Sequence, residues 1–436
     1  MTVYSWSRPP LKHTSAAIET VREIFGLSEE RFTGVPVLDE VELPASGLTY
    51  VRGYSGSGKS RLLRMFLADH PEAQVPHPPT GDAPLVELLD LPLPEALSLL
   101  GQVGLGEAFV CLTPYEALSD GQKARAQLAL AYARGGTLLV VDEFLSNLDR
   151  VSAKAVAYSF QRFCRKRGVS AVVATAHDDL VEALGPDLLI TLDYNGSKSV
   201  VRRPCEATAP FRDEVVVREG TADDYAELAR FHYMGGLDVS PEAYRVQLRA
   251  LELRGRVVGV QVMSSPYPRS WERHAAYADV NETLTLVQRV IVHPVFRGIG
   301  LAGLLCDPVH SPTPWVFLRS ALGRFQPFPL SVGYEAVEVA SCARTELASR
   351  VARVREDGLD EGTDFVRERS IELLMLEYLQ YRQIAGLREL DAPVLNRVRG
   401  WFARCVDTLT DEQAWASVHP FPMAGFVARR PDQRTA

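Results

Sequence analysis

Apolar and polar positions follow two alternating patterns through the first half of the chain. Short, continuous apolar runs, typical of strands buried on both faces, occur at 48–52, 137–141, 170–175 and 188–192. Segments with helical periodicity accompany them, at 61–69, 94–101, 120–134 and 151–167. A shorter helix is predicted over 14–25 and a strand over 35–43. Strands that alternate with helices predict a parallel α/β sheet.

A turn-rich stretch at 195–210 separates this half from a different pattern. Beyond it, a helix is predicted from the Thr221–Asp224 capping pattern to about Tyr233. Strands are predicted at 214–218, 250–253, 257–264, 283–292 and 315–318, and helices at 347–354, 365–384 and 393–406. We therefore expect an α/β domain over 1–204, a second α/β domain over 205–343 and a C-terminal helical extension over 344–436.

Composition narrows the class of protein. The 436 residues are 46% apolar and 23% charged, as in globular proteins. The net charge of −8 excludes a polycation, so any contact with nucleic acid must use a local groove. No apolar run approaches the roughly 18–20 residues that span a bilayer, and the six cysteines form no CxxC pair. We expect a cytoplasmic protein with reduced thiols and no membrane segment.

A glycine-rich loop follows the strand predicted at 48–52. The segment Gly53-Tyr-Ser-Gly-Ser-Gly-Lys-Ser60 matches the phosphate-binding pattern GxxxxGK[ST] and opens a predicted helix. Its backbone N–H groups can close around phosphate oxygens, Lys59 can reach the β- and γ-phosphates, and Ser60 can ligate Mg²⁺. The candidate binding residues of this loop are Gly53, Ser55, Gly56, Ser57, Gly58, Lys59 and Ser60.

Further polar residues follow the other predicted strands of this half. Asp142 and Glu143 end an apolar strand, where Asp142 would hold Mg²⁺ and Glu143 would polarise the attacking water. His177 follows the strand at 170–175 and could contact a γ-phosphate. A second anion site is predicted at the start of the helix over 120–134, with candidate residues Ser119, Gly121 and Gln122.

Taken together, these elements resemble the ATP-binding-cassette (ABC) ATPases over about 30–195. The phosphate loop, the LSxGQ-like segment Leu118–Gln122, the pair Asp142-Glu143, the loop Ser146–Asp149 and His177 stand in that family's order. The resemblance implies ATP and Mg²⁺ as ligands, a role for Asp149 at the nucleotide, and a homodimer. In such a dimer the signature of one cassette faces the phosphate loop of the other. An ATP-binding fold without hydrolysis is the alternative.

The chain departs from the family pattern at several positions. No glutamine between Ser60 and Leu118 is a convincing Q-loop residue, and the interval is short for a transporter cassette. Phe144 stands where a proline is usual. The adenine-stacking aromatic residue could be either Phe25 or Phe32. With no membrane segment and a reduced helical subdomain, a transporter role is not expected.

A second loop with phosphate-binding character occurs at the end of the strand predicted at 283–292. The segment Arg297-Gly-Ile-Gly-Leu-Ala302 matches [QR]-x-x-G-x-[GA] before a short apolar helix. The order of elements around it resembles the Gcn5-related N-acetyltransferases (GNAT) over about 212–340. The resemblance implies acetyl-CoA or another acyl-CoA, with its pyrophosphate on Arg297, Gly298, Gly300 and Ala302 and its thioester beside the strand ending near Val292. A GNAT-like fold without acyl transfer is the alternative.

The pair His232-Tyr233 follows the first helix of this second domain. With Arg289 on the long strand, it is similar to positions of the Mom-type DNA-modification proteins of phages, and the whole chain resembles a family in which an ABC-type ATPase is fused to a predicted acetyltransferase. The resemblance implies that His232, Tyr233 and Arg289 act on an amino group of a DNA or RNA base. Two alternatives remain: an N-acetyltransferase for a protein or small-molecule amine, and a non-enzymatic ATP-gated clamp.

Overall fold

The computed structural model describes residues 2–7, 13–28, 36–193, 197–232, 239–337, 362–409 and 424–431. The chain forms two compact units. Unit 1 comprises Met1–Arg212 and Pro294–Ile299, and unit 2 comprises Asp213–His293 and Gly300–Ala436. The boundary therefore lies at 212/213 rather than at the expected 204/205, and the segment Pro294–Ile299 belongs to unit 1 although the chain on both sides of it belongs to unit 2.

Unit 1 alternates strands and helices, as the apolar pattern predicts. Its strands are β1 (Thr2–Ser7), β2 (Pro36–Leu43), β3 (Leu48–Gly53), β4 (Leu138–Val141), β5 (Ser170–Thr175), β6 (Leu188–Leu192) and β7 (Lys198–Arg202). Its helices are α1 (Ala16–Phe25), α2 (Lys59–Asp69), α3 (Leu85–Leu88), α4 (Leu93–Gln102), α5 (Ala108–Cys111), α6 (Asp120–Ala133), α7 (Arg150–Arg167) and α8 (Val181–Leu184).

The main sheet of unit 1 has the order β4-β5-β3-β6-β7. The first four strands are parallel, and β7 pairs antiparallel with β6 at the edge. Both faces are buried, since Val140 and Val172 join one apolar cluster while Leu139 and Val173 join the other. The carboxyl ends of β4, β5 and β3 therefore meet at one edge of the sheet, where ligands bind in open α/β sheets.

Unit 2 is built around a mixed sheet. Its strands are β8 (Val215–Glu219), β9 (Gln247–Leu253), β10 (Arg256–Ser264), β11 (Leu284–Val292), β12 (Trp315–Ser320), β13 (Glu335–Val337) and β14 (Ala424–Arg429). Its helices are α9 (Ala222–Ala229), α10 (Ala275–Thr283), α11 (Leu301–Leu305), α12 (Gly362–Ile384) and α13 (Ala392–Val406). The helix predicted over 347–354 lies outside the described residues.

The sheet of unit 2 has the order β13-β14-β12-β11-β10-β9-β8. All neighbours are antiparallel except β11 and β12, which pair in parallel only over Leu284–Val287 and Trp315–Leu318. The expectation of a purely helical extension after residue 344 is wrong, because β14 lies between β12 and β13 in the sheet. Helices α12 and α13 share an aromatic cluster with the sheet, formed by Tyr267, Tyr277, Phe317, Tyr378 and Phe402.

Among the described residues, no helix is both long enough and apolar enough to cross a bilayer.

Candidate functional site

The glycines of the phosphate loop are required by the local geometry. A Cβ atom on Gly53 would lie 2.2 Å from the carbonyl oxygen of Leu192 on β6. No rotation of a side chain could relieve this clash, because the oxygen belongs to the backbone. Gly56 has a φ of +82° and open space around its missing side chain. The loop can therefore wind tightly from β3 into α2 and keep its outer surface open to a ligand.

Lys59, the first residue of α2, folds back onto the loop. Its ammonium group donates hydrogen bonds to the carbonyl oxygens of Gly53 (2.7 Å) and Tyr54 (2.8 Å), and only 5% of the residue is exposed. Burial lowers the pKa of Lys59, while the negative charges of Glu143 and Asp142 act in the opposite direction. Lys59 and the two carboxylates thus share one electrostatic environment at the edge of the sheet.

One hydroxyl of the loop is buried and unpaired within the described part of the chain. Ser57 is 7% exposed, and its Oγ has no hydrogen-bond partner among those residues. A buried hydroxyl without a partner is costly, and a phosphate oxygen in the loop would supply the missing acceptor. Together with the open surface at Gly56, this orphan hydroxyl fits a bound phosphate chain. Ser55 lies in the same loop, Gly58 is the residue that caps α2, and Ser60 is the second residue of that helix.

The Mg²⁺ candidates Ser60 and Asp142 follow β3 and β4, whose carboxyl ends lie on the same edge of the sheet. Within the described ranges, no group of three or more His, Cys, Asp or Glu side chains could hold a metal by itself. A serine hydroxyl and a carboxylate fit the way Mg²⁺ is held in nucleotide sites, where phosphates and water complete the coordination.

Glu143 lies in a strained turn directly after β4. Its φ is +49° and that of Leu145 is +56°, both in the left-handed region that side chains other than glycine rarely adopt. The N–H of Phe144 donates to the carbonyl oxygen of Ala174 on β5 (2.7 Å), a bond that the family's usual proline could not make. The Phe144 ring packs on Phe160 at 5.0 Å between centroids.

The Glu143 carboxylate accepts a hydrogen bond from the hydroxyl of Ser146, with Oγ 2.8 Å from Oε2. His177 lies two residues beyond β5, half-buried, and its main-chain carbonyl accepts a hydrogen bond from Tyr50 on β3. Asp149 caps α7 by accepting from the N–H groups of Val151 and Ser152, both at 3.0 Å. The structure therefore places Glu143 and His177 after adjacent strands, and it gives Asp149 a capping role, while the contact of Asp149 with the nucleotide stays a prediction.

The signature residues form the beginning of α6. Ser119 and Gln122 make a capping box, in which the Gln122 side chain accepts from the Ser119 N–H at 2.9 Å and Ser119 Oγ accepts from the Gln122 N–H at 3.4 Å. The surroundings of Gly121 are open, with nothing within 4 Å of a Cβ placed on it. Ser119 uses its oxygen as an acceptor, so its hydroxyl proton remains available to an anion.

The aromatic candidates for the nucleotide base are only partly described. Phe25 is 70% exposed on α1, and Phe32 lies outside the described residues. Trp6, at the end of β1, was not singled out from the sequence. Its ring lies 4.9 Å from the guanidinium carbon of Arg61, which directly follows Ser60 in the first turn of α2. This half-buried indole therefore lies beside the first turn of α2, while Tyr4 of the same strand contacts Phe66 further along that helix.

The first residues of the second predicted phosphate loop belong to unit 1. Arg297 forms an ion pair with Glu107, and the carbonyl of Gly298 accepts from Arg162 on α7 at 3.2 Å. Arg125 of α6, 4% exposed, donates to the carbonyl of Val295 at 3.4 Å. The Arg297 guanidinium is therefore paired with a carboxylate, and the expected place of this residue in a pyrophosphate-binding loop stays a prediction.

The last residues of that loop lie in unit 2. Gly300 caps the five-residue helix α11 with a φ of +92°, and nothing lies within 4 Å of a Cβ placed on it. Ala302 lies in the first turn of the same helix. The predicted loop is thus divided: Arg297 and Gly298 are engaged within unit 1, while the surroundings of Gly300 are open.

The candidate acceptor residues of unit 2 are placed only in part. His232 is half-buried beyond the end of α9, and its main-chain N–H donates to the carbonyl of Ala229 at 3.0 Å. Arg289 is 7% exposed on β11, opposite Val262 of β10. Tyr233 lies outside the described residues. The expected helix is shorter than predicted, ending at Ala229 rather than near residue 233.

Comparison with known proteins gives relatives for part of the chain. No protein-family model matches it. The chain is 31% identical over 208 residues to the aliphatic sulfonates import ATP-binding protein SsuB of Pseudomonas putida, covering 41% of this chain and 73% of that protein. It is 30% identical over 227 residues to the hemin import ATP-binding protein HmuV of Streptomyces coelicolor, covering 43% and 79%. Among solved structures, cbiO1 from Clostridium perfringens, part of the ABC transporter complex cbiONQ, matches at 18% identity with a TM-score of 0.33, covering 39% of this chain and 82% of that one.

Proposed function

Because this chain belongs to the family of the ABC-type ATP-binding proteins, we propose that unit 1 binds Mg-ATP at the phosphate loop and hydrolyses it with Glu143 as the general base. The observation that carries the proposal is the convergence of Lys59, Asp142 and Glu143 at the carboxyl ends of β3 and β4. The orphan hydroxyl of Ser57 supports a phosphate ligand in the loop.

Each residue has a distinct part in this reaction. Lys59 would exchange its bonds to the loop carbonyls for phosphate oxygens, which restores a charged partner to a buried ammonium group. Ser60 and Asp142 would hold Mg²⁺, which neutralises charge on the phosphates when bound. Glu143 would accept a proton from the attacking water as the bond to the γ-phosphorus forms and ADP leaves. His177 would contact the γ-phosphate.

We further propose that the active form is a homodimer. The chain carries one GxxxxGK[ST] loop and one signature segment, and in the family's arrangement these two elements meet across two cassettes. The available hydroxyl proton of Ser119 and the open surface at Gly121 support an anion contact from a second copy. Trp6 is the aromatic residue that would stack on the base of the nucleotide.

The ATPase proposal is tested with Glu143→Gln, which keeps the size of the side chain and removes the base. We expect hydrolysis to fall by at least about 100-fold, with ATP binding retained and an ATP-dependent dimer detected by size-exclusion chromatography with light scattering. Glu95→Gln, on the exposed first turn of α4, is the matched control. Hydrolysis at the wild-type rate by Glu143→Gln would reject the assignment.

For unit 2 we propose a GNAT-like acyltransferase that uses acetyl-CoA or another acyl-CoA. Its support is the sheet itself: the sole parallel pair among the described strands of unit 2, β11 and β12, stops pairing after Val287 and Leu318, although β11 continues to Val292. The ladder between β11 and β12 therefore ends before β11 does, which leaves a gap in the pairing of these two strands. Such a gap is where a thioester is expected from the resemblance, with the pyrophosphate on the loop that contains Gly300 and Ala302.

Donor binding is tested by calorimetry with acetyl-CoA on the whole chain. We expect binding by the wild type and a loss of binding in Gly300→Val, because a β-branched residue is strained at a φ of +92° and fills open space beside the loop. Gly386→Val, at a φ of +64° after α12 with similarly open surroundings, carries the same backbone strain away from the loop and is the control. No heat from a folded wild-type protein would remove acyl-CoA as the donor.

The proposed acceptor is an exocyclic amine of a nucleobase. In this proposal His232 is the general base and Tyr233 stacks on the nucleobase, together with Arg289 on β11. Mass spectrometry of nucleosides from cells that express wild type or His232→Ala tests this. We expect a new nucleoside mass only with wild type, while the variant keeps its ATPase and donor binding. Acetylation of a protein or polyamine without any modified nucleoside would instead favour the amine N-acetyltransferase.

A further inference from the structure

A chain of hydroxyl groups links the two catalytic segments of unit 1. Ser146 Oγ lies 2.8 Å from Oε2 of Glu143 and 3.2 Å from Oγ1 of Thr175, the last residue of β5. Thr175 Oγ1 in turn lies 3.3 Å from the main-chain nitrogen of His177. Thr175 is 0% exposed, so its hydroxyl is inside the protein and cannot exchange these partners for bulk water.

The direction of every hydrogen bond in this chain follows from its two ends. A carboxylate can only accept, so the Ser146 hydroxyl donates its single proton to Glu143. The proton between Ser146 and Thr175 must then come from Thr175. The Thr175 oxygen is left to accept from the N–H of His177, which can only donate. The ends therefore impose one arrangement of protons, and Ser146 and Thr175 are held in it.

The turn that carries Glu143 has a strained backbone, and the hydroxyl groups of Ser146 and Thr175 help to hold it in place. Glu143 and Leu145 both have left-handed φ values, which cost about 1 kcal/mol each for residues with a Cβ. The turn is closed by the Ser146 N–H donating to the carbonyl of Glu143 at 3.1 Å. Two hydrogen bonds tie it to β5: the bond from the Phe144 N–H to the Ala174 carbonyl, and the Ser146–Thr175 bond. The carboxylate's orientation thus depends on the hydroxyl pair.

We propose that Thr175, acting through Ser146, is a positioning residue for the Glu143 carboxylate in ATP hydrolysis. It sets the orientation of the general base and, through its bond to the His177 N–H, ties that orientation to the start of the loop that carries His177. The proposal rests on the proposed role of Glu143. It is independent of the function of unit 2.

The test is the steady-state ATPase activity of Thr175→Val, Ser146→Ala and the double variant. Valine has nearly the shape of threonine and lacks only the hydroxyl. We expect kcat to fall about tenfold in each single variant, with KM for ATP unchanged, since a hydrogen bond to a charged group is lost without touching the nucleotide. The double variant should be no slower than the slower single variant, because both changes interrupt the same series of hydrogen bonds.

Two further variants separate positioning from packing. Thr175→Ser keeps the hydroxyl and should retain kcat within about twofold. Thr49→Val makes the same chemical change at a buried threonine of β3, 1% exposed, whose hydroxyl has no partner in the described part of the chain, and should leave kcat unchanged. Thermal unfolding of all variants shows whether a loss of kcat accompanies a loss of structure.

The outcomes distinguish this inference from the proposed function. If Glu143→Gln abolishes hydrolysis while Thr175→Val and Ser146→Ala hydrolyse at the wild-type rate, the positioning role is rejected and the general base stands. Equal loss of kcat in Thr175→Val and Thr175→Ser would also reject it, because packing rather than the hydroxyl would then be responsible. Wild-type activity in Glu143→Gln would reject the proposed function itself.

Discussion

The candidate residues of unit 1 and those of unit 2 are organised differently. In unit 1 the phosphate loop, the pair Asp142-Glu143 and His177 follow three neighbouring strands, β3, β4 and β5, and hydrogen bonds connect the segment after β4 with β5. In unit 2 they lie beyond α9, on β11 and in a loop whose first half belongs to unit 1. Motifs at the carboxyl ends of neighbouring parallel strands lie close together because the sheet brings those ends together. The contacts of a loop depend instead on the residues that pack against it.

The largest effect that would sharpen this comparison is expected for Lys59→Ala. Removing the ammonium group from a buried position beside the phosphate loop should weaken ATP binding by at least about 100-fold, measured by calorimetry. Acetyl-CoA binding, assigned to unit 2, should be unchanged in the same sample. Lys166→Ala, on the exposed end of α7, is the matched control. Equal losses of both ligands would show that the two sites are not separate.

The phosphate-loop region could be predicted closely because its signals are local. The strand expected over 48–52 is β3 at Leu48–Gly53, and the helix expected over 61–69 is α2 at Lys59–Asp69. Glycine spacing, a strand and a helix start lie within a few residues, and each constrains the next. The LSxGQ-like segment is similarly local, since Ser119 and Gln122 cap the helix that they begin.

Other features could not be predicted, because they depend on residues far apart in sequence. Strand β14 is six residues long, rich in small side chains, and is defined by pairing with β12 and β13. The Ser146–Thr175 bond spans 29 residues and depends on side-chain orientation. The partner of Arg297 is Glu107, 190 residues earlier, so the loop motif gave no indication of the ion pair.

The next largest effect concerns that ion pair. Arg297 and Glu107 are mostly buried. Burial, together with the positive charge of the nearby Arg297, lowers the pKa of Arg125 to about 10. Glu107→Gln would leave the buried Arg297 guanidinium without this carboxylate, and we expect a loss of about 3 kcal/mol in the free energy of unfolding. Differential scanning calorimetry measures it, with the transition of unit 1 identified as the one that Mg-ATP raises.

The control for Glu107→Gln is Glu214→Gln, which breaks the exposed pair between Glu214 and Arg254. Exposed ion pairs contribute at most about 1 kcal/mol, so this variant should change unfolding little. If Glu107→Gln shifted only the transition that does not respond to ATP, the assignment of Pro294–Ile299 to unit 1 would fail and the two regions would be organised more alike.

A smaller, pH-dependent effect is expected in unit 2. Arg218 holds the pKa of Asp224 at about 2, against the opposing effect of burial, with Thr221 also donating to the carboxylate. A depressed pKa stabilises the fold above the unfolded-state pKa of about 4, and this contribution is lost as the pH falls towards 2. Asp224→Asn should therefore cost about 1–2 kcal/mol at neutral pH and progressively less below about pH 4.

Urea titrations at several pH values measure this dependence, followed on the transition that ATP does not raise. Asp223→Asn, on the exposed neighbouring position of α9, should show neither the cost nor its pH dependence. A constant difference between wild type and Asp224→Asn from neutral to acidic pH would mean that the Arg218 pair contributes through packing rather than through charge.

The smallest expected effect compares two capping serine and threonine residues, one in each unit. Ser119 caps α6 and Thr221 caps α9, each in a capping box. Replacing either with alanine should lower the free energy of unfolding by about 1 kcal/mol, because one helix N–H loses its acceptor. The two variants should differ in catalysis. Ser119→Ala also removes the hydroxyl proton proposed to contact the nucleotide of a second copy, so its ATPase rate should fall and its ATP-dependent dimer should weaken. Thr221→Ala should leave both unchanged, and equal ATPase rates in the two variants would reduce Ser119 to a helix cap.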